Sequence, residues 1–322
     1  MSDISGAFDH VCANVLLAKL RGLGLPDSLL DFLAAYLAPR SAHVVVGCER
    51  SSDFVIEDSV FQGTVLGPLL WNIFFMDVIF AAKAGGGHEY LFADDLSVCQ
   101  DFDRHENDEH VMSKMEYTRK RVHEWGKRNR VAFDASKEDI VCIHPIWHSE
   151  RSFQFLGVTF DSNLSMASDV QELVRRCRPK IRSILRARTF YSTHQTLNLF
   201  KTHIWGLIEY HTAAIYHACA THLAKLDHLQ SSFLRDLGAS AADAFLQHNF
   251  APLSARRDIA MLAVLHKRVL GIGHVGFARL FPFSDFMHPR GHDKQLTFPH
   301  HHVVHISAIF MASFIVRACG CL

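Results

Sequence analysis

Two acidic strings bracket a glycine-rich one near the start of the chain, and this order constrains the fold more than any other feature. They are Asp3-Ile4-Ser5-Gly6-Ala7-Phe8-Asp9, Phe61-Gln62-Gly63-Thr64-Val65-Leu66-Gly67-Pro68 and Phe92-Ala93-Asp94-Asp95. Adjacent like charges repel, so a fold either leaves such acids in solvent or keeps them together for a purpose. Tyr90-Leu91-Phe92 before the pair and Leu96-Ser97-Val98 after it read as two strands of a tight hairpin, burying their apolar residues and presenting the acids at its tip. Carboxylate oxygens are the hard ligands that Mg²⁺ prefers, and two such ions roughly 3.5–4 Å apart can clamp an attacking and a leaving oxygen. Asp3, Asp94 and Asp95 are therefore the candidate metal ligands. A solvated Asp-Asp turn is the plain alternative, and the apolar flanks argue against it.

The chain has 322 residues, enough for two or more units with their own cores. Hydrophobic residues are 49% and charged residues 20%, with a formal net charge of zero. The whole chain thus carries no nucleic-acid signature, and any such surface must come from local segregation of charge. Eight cysteines are scattered without a CxxC pair, which favours a reduced intracellular protein without disulfides. No secretory signal opens the chain, and the apolar stretch Val303–Val316 is too short to span a bilayer. The cluster His300, His301, His302 and His305 has no converging partners and reads as incidental.

Periodicity predicts helices over Val11–Leu20, Leu29–Leu37, Leu66–Phe80 and His110–Arg130. Strands are expected at His43–Val46, Phe54–Ile56, Val131–Phe133, Ile140–Ile143 and, as one run, Phe153–Phe160. From about Ser168 onward only helices are expected, and Gly271-Ile272-Gly273 marks a second break. Arg175, Arg176, Arg178, Lys180, Arg182, Arg186 and Arg188 crowd one segment with almost no acids, as a helix tracking phosphates requires. A solvated basic face has the same composition.

In this order the strings resemble motifs A, B and C of a reverse transcriptase, specifically of the non-LTR (LINE-type) retrotransposon family. The resemblance implies an α+β fold: a polymerase palm of small antiparallel sheet and helices, a helical thumb, and a C-terminal helical extension. The corresponding segments are 1–163, 164–240 and 241–322. It implies two Mg²⁺ ions, with Mn²⁺ as a substitute, on Asp3 and Asp94, with Asp95 more peripheral and Asp9 structural. Phe8 falls at the steric gate that favours deoxynucleotides. Gln62, with Gly63, falls where the family contacts incoming nucleotide and template. Lys137 resembles the motif D lysine that serves the leaving pyrophosphate. Gly157, in Phe155-Leu156-Gly157-Val158, resembles the primer grip of motif E, and the basic segment with Arg175, Arg176, Arg178, Lys180 and Arg182 falls where the thumb belongs. One departure is Ser59-Val60-Phe61 where the family has Gly-Val-Pro, which loosens the turn before Gln62.

The resemblance runs from residue 3 to about 270. Only Met1 and Ser2 precede Asp3, so an N-terminally truncated form without the triphosphate-gripping fingers region is expected, and no endonuclease is present. Two readings follow. One is an RNA-directed DNA polymerase that extends a DNA primer on an RNA template with dNTPs, acting in the nucleus as its family does and away from membranes. The other is an inactive retrotransposon remnant that binds nucleic acid weakly through its basic thumb.

Overall fold

The computed structural model describes residues 4, 6–103, 105–134, 136–143, 152–272 and 281–283. Asp3, the histidine cluster at 300–305 and the stretch Val303–Val316 lie outside the described residues. The chain divides into two compact units, Met1–Ile140 and Val141–Leu322. Helices and short antiparallel hairpins make up both, which agrees with the expected α+β class.

The first unit opens with a single 3-10 turn, Ala7–His10, entered through Gly6 at φ 59°. Helices α1 (Ala13–Gly22) and α2 (Asp27–Tyr36) follow. Strand β1 (Arg40–Ala42) pairs with β4 (Phe54–Ile56), enclosing an inner ladder of β2 (Val45–Val46) and β3 (Glu49–Arg50). The partner of Phe54–Ile56 thus lies just before the expected His43–Val46, because Val45 and Val46 are used in the inner ladder. Among the described residues Ile140–Ile143 forms no strand, and Phe133 makes only an isolated antiparallel bridge with Ile4.

The expected helix Leu66–Phe80 is two helices, α3 (Gly67–Phe75) and α4 (Val78–Ala82). Asp77 lies at the break. Its Oδ1 accepts from Lys19 Nζ at 2.8 Å and from the Trp125 indole at 2.8 Å, so this carboxylate serves tertiary partners and caps no helix. The segment Gly67–Gly85 is apolar enough to cross a bilayer by composition, yet Trp71, Phe74 and Phe75 are buried in the first unit's core. There they pack with Leu16 and Leu20 from α1 and with Trp125 from α5 (Asp108–Asn129). Burial of each such side chain stabilises the unit by roughly 1.5–3 kcal/mol. Between α4 and α5 runs the hairpin of β5 (His88–Phe92) and β6 (Asp95–Cys99).

The second unit begins with a hairpin rather than one strand: β7 (Ser152–Phe155) pairs with β8 (Val158–Asp161). Leu156 at φ 49° and Gly157 at φ 78° turn the chain, a pair of left-handed residues that a glycine eases. Helices and turns fill the rest up to residue 272: α6 (Ala167–Ala187), α7 (Thr193–Phe200), a π turn over Lys201–Trp205, α8 (Gly206–Tyr210), α9 (Thr212–Ile215), α10 (Ala220–Leu237), α11 (Ala241–His248) and α12 (Leu253–Leu270). Val158 of β8 shares a core with Leu173 and Cys177 of α6 and with Phe200 and Phe233. A buried polar clamp fixes the hairpin: Asp169 accepts from the Thr159 backbone at 2.9 Å and lies 2.8 Å from His211 Nδ1.

Candidate active site

The acidic turn is short. Phe92 pairs with Asp95, so Ala93 and Asp94 alone connect β5 to β6. Asp94 sits at the tip, half-buried, and Asp95 is the exposed first residue of β6. Ala93 adopts φ +54°, a left-handed conformation that costs an L-residue with a Cβ. A fixed contact opposes this cost: the Trp71 indole N–H donates to the Ala93 carbonyl at 2.9 Å. Trp71 is 1% exposed, so its indole N–H is held in the core and aimed at the turn.

Phe8 reaches the same tryptophan. Its ring stacks on Trp71 at 5.6 Å between centroids and 23° between planes. Its carbonyl accepts from Val60 N–H at 2.8 Å, tying the first string to the second. Gly67 closes the approach. A Cβ there would lie 3.1 Å from the Phe61 carbonyl, 3.1 Å from Thr64 Oγ1 and 3.5 Å from the Phe8 ring. The three strings therefore meet on one helix, α3, through Gly67 and Trp71.

Gln62 and Gly63 form an exposed turn before α3, with Gly63 at φ +81° and open space around it. Its entrance is held despite the departure at Ser59-Val60-Phe61. Thr64 Oγ1 donates to the Phe61 carbonyl at 2.7 Å, Val60 is fully buried, and the Arg40 guanidinium covers the Phe61 ring at 4.2 Å. Packing of Phe61 and the Thr64 hydrogen bond thus hold the entrance to this turn.

Lys137 lies on an exposed turn rather than at a strand edge, its backbone N–H donating to the Asp134 carbonyl at 3.0 Å. The Ser136 hydroxyl and backbone N–H hold the Asp134 carboxyl below its ordinary range. In the second unit, Gly157 is at the open tip of β7–β8, where the Tyr210 hydroxyl donates to the Leu156 carbonyl at 2.6 Å. Arg175, Arg176, Arg178, Lys180 and Arg182 are all exposed on α6 while Val170, Leu173, Cys177 and Ile181 are buried. Arg175, Arg178, Arg182 and Arg186 repeat at helical spacing and line one stripe. Arg175 is engaged by Glu172 at 2.6 Å, which depresses the Glu172 carboxyl.

Residues 1–160 match the family described as reverse transcriptase (RNA-dependent DNA polymerase). Residues 1–160 belong to the reverse transcriptase family. The probable RNA-directed DNA polymerase from transposon X-element of Drosophila melanogaster is 26% identical over 261 residues, which are 72% of this chain and 27% of the relative. The RNA-directed DNA polymerase from mobile element jockey of Drosophila funebris is 26% identical over 260 residues, 74% of this chain and 28% of the relative. A Pol polyprotein from the type-1 retrotransposable element R2 of Popillia japonica is 34% identical over 71 residues, 22% of this chain and 12% of the relative. The chain thus spans little more than a quarter of the length of the first two relatives.

Within this reverse transcriptase domain the structure gathers Phe8, the Gln62-Gly63 loop and the Asp94 turn, and Asp3 lies outside the described residues. Among the described residues no group of three metal-ligating side chains forms. The donor chemistry still suits a hard divalent ion, since the turn offers adjacent carboxylates on a backbone that α3 fixes. Trp71 is the residue that sequence reasoning missed. Its signal was an indole in an otherwise apolar helix segment, because a buried indole N–H requires an acceptor.

Proposed function

We propose that the chain performs the polymerase work of a non-LTR retrotransposon, joining dNTPs to the 3′-OH of a DNA primer on an RNA template. The observation that carries this reading is the convergence of Phe8, the Gln62 loop and the Asp94 turn on α3. In this proposal residues 1–163 act as palm, 164–240 as thumb and 241–322 as a C-terminal extension, in the nucleus. Asp3, Asp94 and Asp95 would hold two Mg²⁺ ions, or Mn²⁺ in their place. When bound, such ions lower the pKa of the primer hydroxyl and neutralise charge on the pyrophosphate. The Phe8 ring, braced by Trp71, limits the space beside the sugar. Gln62 and Gly63 orient nucleotide and template from an exposed turn, and Lys137 supplies a proton to the departing pyrophosphate. Gly157 lets backbone lie against the primer end, and Arg176, Arg178, Lys180 and Arg182 contact duplex phosphates.

The exposed arginine stripe on α6 also supports the second reading, a chain that binds nucleic acid without extending it. Incubating the full chain with a primed RNA template, dNTPs and Mg²⁺ separates the two. Extension is expected, together with duplex affinity that falls steeply with salt. Salt-sensitive binding without extension under either metal selects the second reading, and binding indifferent to salt removes the role of α6.

A further inference from the structure

Resting on the polymerase reading, we infer that Trp71 is the positioning residue of the acidic turn: it couples the Phe8 ring to the Asp94 backbone, so that sugar space and carboxylate placement are set by one side chain. Trp71 has two directed contacts on two different strings. Its ring stacks on Phe8 at 5.6 Å, and its N–H donates to Ala93 at 2.9 Å. Phe75 stacks on it at 5.2 Å and Phe74 lies at 5.9 Å, so the indole has no room to swing. Gly67, one helical turn earlier on α3, leaves the space that brings the Phe8 ring in.

The Ala93 carbonyl is the acceptor where it matters most. Ala93 is the residue at φ +54°, and Asp94 follows it directly. A strained residue persists only where its surroundings over-determine it. The indole hydrogen bond is such a constraint, and without it the turn relaxes and Asp94 shifts. A shift of about 1 Å at a reacting group costs on the order of a hundredfold in rate. A tryptophan that merely fills the core would contribute its ring area and nothing directional. The N–H separates these roles.

The test uses the full chain with Trp71→Phe, which keeps a ring on Phe8 and removes the donor. Ala93→Gly and the double variant accompany it, because glycine removes the penalty for φ +54°. Amide hydrogen exchange over residues 92–96, Mn²⁺ affinity and primer extension are read for each. Trp71→Phe should speed exchange in the turn and weaken Mn²⁺ binding roughly tenfold, the scale of one lost hydrogen bond. Extension kcat should fall with primer affinity unchanged. The double variant should recover exchange and Mn²⁺ affinity to within about threefold of the parent, since the strain is gone. Unchanged exchange in Trp71→Phe, or a defect that glycine at 93 does not restore, reduces Trp71 to core packing and overturns the inference. If the parent chain neither binds Mn²⁺ nor extends, the polymerase reading fails on its own, and turn exchange still decides the role of Trp71.

Discussion

The hairpins β5–β6 and β7–β8 both close through two residues, and in both an aromatic side chain on a helix donates to the carbonyl of the first. Trp71 on α3 donates to Ala93 at 2.9 Å, and Tyr210 on α8 donates to Leu156 at 2.6 Å. The first residue of each turn is left-handed, at φ +54° and +49°. The two differ in what surrounds the donor. Trp71 is 1% exposed and boxed by rings, whereas Tyr210 is 63% exposed. They differ also in backbone, because both Leu156 and Gly157 are left-handed in the second turn, whereas in the first only Ala93 is. The first turn takes its hydrogen bond from a buried indole, while the second combines glycine with a contact from an exposed tyrosine.

This contrast orders the expected effects. Trp71→Ala removes a fully buried ring and should cost about 3–5 kcal/mol in urea unfolding of the first unit. A loss below about 1 kcal/mol there would mean that the turn does not depend on the core. Gly67→Ala should cost about 1–3 kcal/mol, since its Cβ crowds the Phe61 carbonyl and Thr64, and it should displace Phe8 from Trp71. Retained Trp71 fluorescence in that variant would show that the Phe8 contact survives and would weaken the link between the strings.

Beneath the second turn, Cys177 reports how dry the helical core is. Burial pushes its thiol up to about 11 from an ordinary 9.0, with Arg176 and Lys180 pulling the other way. Between those values the unfolded chain has released the proton and the folded one has not. The unfolded state then binds fewer protons, so stability is full below about pH 9 and falls as pH rises, by at most ~1.4 kcal/mol per pH unit. Cys177→Ala should flatten this slope in melts between pH 8.5 and 10.5, and an unchanged slope would assign it to other groups. Tyr210→Phe should have the smallest effect, about 1 kcal/mol or less, because the Leu156 carbonyl, on a half-exposed turn, takes water in place of the lost hydroxyl. A cost equal to that of Trp71→Ala would erase the contrast between the turns.

Much of this arrangement was legible in the sequence, and the parts that were not share a cause. The acidic hairpin was visible because apolar runs flank Asp94-Asp95, although the turn is Ala93-Asp94 and Asp95, expected at the tip, opens β6. The basic face of α6 was visible because Arg175, Arg176, Arg178, Lys180, Arg182, Arg186 and Arg188 crowd one segment with almost no acids. The break between α3 and α4 was hidden, since Asp77 is claimed by Lys19 and Trp125, each remote in sequence. The β7–β8 turn was hidden because leucine is a poor signal for a left-handed residue, so Phe153–Phe160 read as one strand. The role of Trp71 was hidden for the same kind of reason: its acceptor is a backbone carbonyl 22 residues away, and local pattern does not encode such a pair.

We propose that the Asp94 turn is the chemical centre of residues 1–160, which match the reverse transcriptase family. The most direct measurement is Mg²⁺-dependent extension of a primed RNA template by the full chain, set beside Asp94→Asn and Asp9→Asn. The account predicts extension by the parent, a loss of about a hundredfold or more in Asp94→Asn with primer binding retained, and little change in Asp9→Asn. Extension that survives Asp94→Asn, or that is lost only in Asp9→Asn, would contradict it.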